Sequence, residues 1–213
     1  MIFVNIRGSN ATGKSTRVRL LYEYLVKEKG YIPKPIIWEK NGKSYGHMLG
    51  DIFFFGQMTN KGWVGLDSHI LTKNKERLEF IKYVNDNFPE IKYYIQEGYF
   101  NNRSPVFHTF KTMPYIEDIW NVFFIYNTVD DFIMRVKERQ RGKTRYKTRE
   151  EAEKSSGWGE NEGCKRHSKL FSENPDLYGK VFVYKYDAPK DILIQLIYGE
   201  RYEKKELNLL NMF

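Results

Sequence analysis

At 213 residues the chain has room for one domain with a substantial core and none for two full catalytic domains. A composition 41% hydrophobic and 16% aromatic is too apolar for disorder, while a mean hydropathy of -0.64 without a long apolar run excludes a membrane-spanning helix. One cysteine, Cys164, excludes an internal disulfide, and the formal charge of +8 raises the question of where a phosphate-rich partner would be met.

In chain order, short β-rich runs alternate with amphipathic stretches, which predicts a parallel sheet with helices on both faces. Ile2 to Ile6 is the first predicted strand, and Val18, Leu21, Tyr22 and Leu25 give a helix ending at Gly30. Pro35 to Trp38 is a short second strand. A helix from about Ser68 to Asn87, with Ile70, Leu71, Leu78, Ile81 and Val84 on its buried side, precedes a third strand at Ile91 to Gln96; Pro89 breaks the two apart. Asn121 to Tyr126 is the fourth strand, followed by a helix carrying Phe132, Ile133 and Val136. Val181 to Tyr184 is the fifth, Asp191 to Tyr198 a last helix, and Leu207 to Phe213 a tail that docks or frays. The expectation is a single α/β domain over 1–213, a three-layer sandwich around a five-stranded parallel sheet with helices on both faces. Two irregular insertions interrupt it, an acceptor region over about 40–67 and a basic lid over about 141–174.

The strongest signal is Gly8-Ser9-Asn10-Ala11-Thr12-Gly13-Lys14-Ser15, a full match to G-x-x-x-x-G-K-[ST] between a predicted strand and a predicted helix. Gly8 and Gly13 permit backbone conformations that aim successive N–H groups at one point, and the following helix adds its positive end. The loop is therefore read as an anion cradle for nucleotide phosphates, in a P-loop kinase-like fold. Lys14 would reach the β- and γ-phosphates, Ser15 would ligate Mg²⁺, and Thr16 lies within reach of a phosphate.

No N-K-x-D guanine motif is present, and the chain is too short for an ATPase core with a separate coupling module, so a small phosphotransferase is favoured. Arg135 and Arg139, i and i+4 on the helix after the fourth strand, suit delivery of guanidinium groups to a transferring phosphoryl; a solvated basic face is the plainer alternative. Glu39, Asp67 and Glu97 are the candidate carboxylates. Glu39 and Glu97 end predicted strands at the edge where open α/β sheets bind ligands, and Glu97 can face Mg²⁺ or the acceptor. Asp67 precedes a helix, where capping is at least as good a reading as catalysis.

Together these residues resemble a phage family of P-loop kinases that phosphorylate 5-hydroxymethyl-deoxyuridine in DNA. The resemblance rests on Ile6 to Ser15, on Gly56 with Gly62-Trp63-Val64-Gly65-Leu66-Asp67, on Gln96-Glu97-Gly98 and on the Thr128 to Arg141 helix. Val64-Gly65 stands where the family has a glycine pair, and the family's usual cysteine is missing. The resemblance implies ATP as donor, Mg²⁺, and an exocyclic hydroxymethyl group on a pyrimidine as acceptor. It also implies Asp67 as the acceptor-side base, with Glu97 near the metal by its strand-end position. In duplex DNA the base must leave the stack; Phe53, Phe54, Phe55, Trp63 and Trp158 are either stacking partners for it or core.

A kinase for free deoxynucleosides or deoxynucleotides would use the same motifs, and a nucleic-acid-binding module switched by ATP would need only the loop. The charge helps to choose. Between Arg135 and Arg149 lie eight basic residues and one acid, which leaves the rest of the chain close to neutral. Within that segment Arg141, Lys143, Arg145, Lys147 and Arg149 recur at every second position, so an extended backbone would set all five on one side and let them track a DNA backbone. The alternative is a mobile lid paired with Glu150, Glu151 and Glu153. His47, His69, His108 and His167 show no zinc spacing with Cys164. The first residues lead straight into the motif rather than into a leader, so the cytoplasm is the expected compartment.

Overall fold

The computed structural model describes residues 1–59, 62–64, 74–98, 112–140, 142, 146 and 148–201. In chain order they form β1 (Ile2–Gly8), α1 (Lys14–Lys27), β2 (Lys34–Trp38), β3 (Lys43–Leu49), β4 (Ile52–Phe55), β5 (Gln57–Thr59), β6 (Gly62–Val64) and α2 (Asn74–Asn87). There follow β7 (Tyr93–Glu97), β8 (Asp118–Ile125), α3 (Val129–Arg139), α4 (Arg149–Glu153), α5 (Ser156–Glu173), α6 (Pro175–Tyr178), β9 (Lys180–Lys185) and α7 (Ile192–Tyr198). Seven strands make one mixed sheet in the order β2-β3-β4-β7-β1-β8-β9, and β5 and β6 pair separately. Neighbours from β4 through β9 run parallel, whereas β2–β3 and β3–β4 are antiparallel.

Helices cover both faces. On one, Val18, Leu21, Tyr22 and Leu25 of α1 recur at helical spacing and pack with Leu193 and Ile194 of α7 against Val4, Ile6, Ile95, Val122 and Phe124. On the other, Phe80, Ile81 and Val84 of α2 and Cys164 and Phe171 of α5 pack against Phe3, Phe53, Phe55, Tyr94, Ile119 and Phe123. Burial of each such side chain contributes roughly 1.5–3 kcal/mol, and Leu21→Ala, at a fully buried site, would cost about 2–5 kcal/mol. A third cluster, Tyr126, Val129, Phe132, Val136 and Ala152, fastens α3 and α4 beside the β1–α1 loop. The start of α3 is fixed by a reciprocal cap: Asp131 N–H donates to Thr128 Oγ1 at 3.1 Å, and Thr128 N–H to Asp131 Oδ2 at 3.2 Å.

The expected sheet of five parallel strands is thus extended to seven and mixed. Lys43–Leu49 and Ile52–Phe55 fall inside the stretch expected to be irregular. β4 is buried on both sides, so its phenylalanines form an unbroken apolar run without alternation. Phe53, Phe54 and Phe55 are core, which removes them as stacking partners for a base. The expected second strand is an antiparallel edge strand instead, with Ile37 46% exposed. The predicted lid is also more regular than expected, since α5 alone spans 18 residues. Three glycines in its sequence lower helix propensity. Gly157 nevertheless has a packing reason, because a Cβ there would stand 3.0 Å from the Phe132 ring, and the Ser155 hydroxyl caps the helix by accepting from Trp158 N–H.

Candidate functional site

The strand β1 is buried on both faces and sits inside the sheet between β7 and β8, so its end delivers residues 8–13 to the carboxyl edge, directly before α1. Gly8 needs to be glycine: at φ +153° a Cβ would approach Phe124 O to 2.5 Å and Thr12 Oγ1 to 2.7 Å. Gly13 opens α1 at φ 83°, and Ala11 also takes a positive φ of 64°. The loop closes on itself. Thr12 Oγ1 donates to Ser9 O at 2.8 Å, and Lys14 Nζ donates to Gly8 O at 2.8 Å and Ser9 O at 3.0 Å.

Two side chains clamp the loop from outside, and neither stands out in the sequence. Arg17 Nη1 donates to Thr12 O at 2.8 Å, while Nη2 donates to Tyr186 O at 2.9 Å and Ala188 O at 2.5 Å. Its guanidinium lies 4.3 Å from the centre of the Phe124 ring. Burial, and next the charge of Arg135, push its pKa down to about 10, which leaves it cationic at neutral pH. Tyr126 donates its hydroxyl to Asn10 O at 3.2 Å, and burial raises the pKa of that phenol. Asn161 of α5 in turn holds the Tyr126 backbone at both ends: Tyr126 N–H donates to Asn161 Oδ1 at 2.8 Å, and Asn161 Nδ2 donates to Tyr126 O at 3.1 Å. The loop is thereby fixed to β8, α5 and the segment after β9.

Ser15 and Glu97 are brought together. Ser15 Oγ donates to Glu97 Oε1 at 2.8 Å across the gap between α1 and the end of β7. Glu97 is 6% exposed and is set beside the loop because β7 pairs with β1 in the register Ile6 to Glu97. Arg139 is placed beside the loop but not at the Ser15–Glu97 pair: a cavity of about 430 Å³ is lined by Asn10 and Ala11 from the loop, Phe132, Val136, Arg139 and Gln140 from α3 and the residue after it, and Tyr146, Ser156 and Gly157. Arg135, one turn earlier, donates to Glu138 at 2.7 Å and bears on Arg17 and Tyr126 electrostatically. Burial raises the Cys164 thiol pKa, opposed by the charges of Arg7 and Lys14.

Other expected residues fall elsewhere. Glu39 is exposed at the end of β2, four strand spacings from β1, or about 19 Å; that distance removes it from the site. Asp67 and the side chain of Trp63 lie outside the described residues, as do Arg141, Lys143, Arg145 and Lys147. Arg149, expected on the extended basic edge, begins α4 instead and pairs with Glu153 at 3.1 Å and Asp130 at 3.6 Å. Trp158 is half-buried against Phe132. No group of three or more His, Cys, Asp and Glu side chains among the described residues could hold a metal ion, and no described helix is long and apolar enough to cross a membrane.

The residues present fit phosphate oxygens and a hard cation on the geometry of the chain itself. Ser9 Oγ is buried without a hydrogen-bond partner, Cβ atoms at Gly8 and Gly13 would collide with the loop or its clamp, and Ser15 with Glu97 forms a hydroxyl–carboxylate pair of the hard-oxygen kind that Mg²⁺ takes alongside phosphates and water. No family model matches the chain, and no curated protein matches it in sequence.

Proposed function

We propose that the protein is an ATP-dependent phosphotransferase of the P-loop kinase kind, with a hydroxyl of a modified pyrimidine, 5-hydroxymethyluracil in DNA, as its acceptor. The observation that carries the reading is the Ser15–Glu97 pair, 2.8 Å apart and set beside a glycine loop that carries Lys14. Bound there, ATP supplies the transferable γ-phosphoryl group and Mg²⁺ the Lewis acid. The chain's own residues do the rest. Backbone N–H groups of residues 8–16 and the amino end of α1 hold phosphate oxygens. Lys14 turns from the Gly8 and Ser9 carbonyls to the phosphates and neutralises charge there, Ser15 and Glu97 hold the cation, and Arg139 adds a guanidinium from across the cavity. Asp67 takes the proton from the acceptor hydroxyl, a role assigned by resemblance.

One observation favours a second reading, a kinase for free deoxynucleosides or deoxynucleotides. Arg149 is engaged by two acids, so the basic segment offers fewer cations to a polymer than its sequence suggests. A single experiment separates the two: label from γ-labelled ATP is offered to an oligonucleotide containing 5-hydroxymethyluracil, to the matched thymine oligonucleotide and to the free nucleoside. Label confined to the first supports a DNA acceptor. Label on the nucleoside alone assigns the small-molecule kinase, and no label on any acceptor overturns the phosphotransferase reading.

A further inference from the structure

We infer that the cavity between the glycine loop and α3 is the pocket that takes the base of the acceptor. The inference rests on the kinase reading for the identity of that base, and on the cavity itself for the site. Its walls come from the outer turn of the loop at Asn10 and Ala11, from α3 with the Gln140 that follows it, and from the start of α5. At about 430 Å³ it is in the range of small-ligand sites, and it lies beside the loop without including Ser15 or Glu97. A ligand there is a neighbour of phosphates held by the loop and does not displace them.

The lining divides into an apolar floor and a polar rim. Phe132 and Val136 are buried members of one cluster, and Ala11 packs against it. The Phe132 ring centre lies 5.5 Å from that of Tyr146 and 5.4 Å from that of Tyr126, whose hydroxyl holds the loop at Asn10 O. Gly157 keeps the floor open, since a Cβ there would stand 3.0 Å from the Phe132 ring and 3.9 Å from the Tyr146 hydroxyl. Around this floor Asn10, Arg139, Gln140 and Ser156 are exposed. Arg135 is occupied by Glu138, whereas no acid pairs with Arg139 among the described residues.

That combination suits a flat heterocycle better than a phosphate or an aliphatic chain. Such a ring covers apolar surface with its face and keeps its polar edge for the rim. The carboxamides of Asn10 and Gln140 each offer a donor beside an acceptor, which complements the adjacent N–H and C=O of a pyrimidine edge, and both aromatic rings and a guanidinium stack on bases. The charge favours the acceptor over the donor. Gln140 and Tyr146 lie in the stretch from Arg135 to Arg149, where eight basic residues stand against one acid, so the wall of the pocket belongs to the part of the chain that attracts phosphate most strongly. A donor nucleotide has its phosphates on the loop, whereas a base within a strand carries phosphates on both sides and needs cations at the mouth of its pocket. A hydroxymethyl group on the edge towards Asn10 and Ala11 then stands beside the loop that carries Lys14.

The test uses the full chain with a non-hydrolysable ATP analogue and Mg²⁺, and compares binding of an oligonucleotide containing one 5-hydroxymethyluracil with that of the same strand carrying an abasic site there. The wild type should prefer the base about tenfold or more, the size expected for one stacked base. Ser156→Trp fills the pocket from an exposed position, and Gln140→Ala removes one polar edge. Each should bring the two strands within about threefold of each other, leave the affinity for the ATP analogue within about twofold of wild type, and leave the salt slope of DNA binding unchanged. If Ser156→Trp lowers Tm, the exposed Gln140→Ala decides. A preference that survives in the variants overturns the inference, as does a wild type that binds both strands alike; label transfer by the same protein would then leave the kinase reading standing. Loss of affinity for the ATP analogue with the preference kept would give the cavity to the donor and also overturn the inference. A preference that depends on these residues, in a protein that transfers no phosphate, would retain the pocket and discard the kinase reading.

Discussion

On the face that carries α1, several polar side chains near the strand ends are held by the chain itself, Lys14 by Gly8 and Ser9, Arg17 by Thr12, Tyr186 and Ala188, and Ser15 by Glu97, while Ser9 Oγ is left buried without a partner. On the face beneath α2 and α5, an equally buried row of polar residues ends at Gln96, whose amide nitrogen has no partner. The contrast separates a loop whose polar groups are held by the chain at the sheet's carboxyl edge, the arrangement that suits an anionic ligand, from a face whose polar residues lie within the core.

Mutations should divide along the same line, with the loop face giving the largest effects. Lys14→Ala should lower the transfer rate by about 10²–10³-fold or more, with an unchanged far-UV CD spectrum and Tm, because the side chain carries charge to the phosphates rather than packing in the core. Glu97→Gln keeps the shape and removes the charge. It should raise the Mg²⁺ concentration for half-maximal rate roughly tenfold to a hundredfold, read from a metal titration at fixed ATP. The outer clamp is weaker. Tyr126→Phe should raise the KM for ATP severalfold with kcat nearly kept, while Asn161→Ala should lower stability by about 1–3 kcal/mol in chemical unfolding, since it leaves the Tyr126 backbone groups buried and unpaired. The smallest effect belongs to the basic segment: Lys143→Ala, Arg145→Ala and Lys147→Ala combined should reduce the log–log salt slope of DNA binding by at most about three. An unchanged slope would move the acceptor towards the free nucleoside.

The loop was legible in the sequence because its chemistry is local: two glycines, a lysine and a hydroxyl must stand at fixed spacing. Glu97 was also legible, as the last residue of a recognisable strand. Arg17, Tyr126 and Asn161 were not, because what they bind is backbone carbonyl and amide groups, most of them far away in sequence, and such partners leave no residue pattern. The sheet shows the same division. Strands that alternate or end at a break were found within a few residues, whereas Ile52–Phe55 is too short and too uniformly apolar to show a period, and β3 was hidden with it. In α5 the reverse held, since Gly157, Gly159 and Gly163 argue against a helix that tertiary packing and the Ser155 cap nonetheless form.

The claim that the glycine loop carries phosphoryl transfer is tested most directly by steady-state transfer of label from γ-labelled ATP to DNA containing 5-hydroxymethyluracil, with wild type and Lys14→Ala measured side by side over a full range of acceptor concentration. The account predicts that Lys14→Ala, folded as the wild type, stays slow at every DNA concentration. Transfer by Lys14→Ala at the wild-type rate would contradict it.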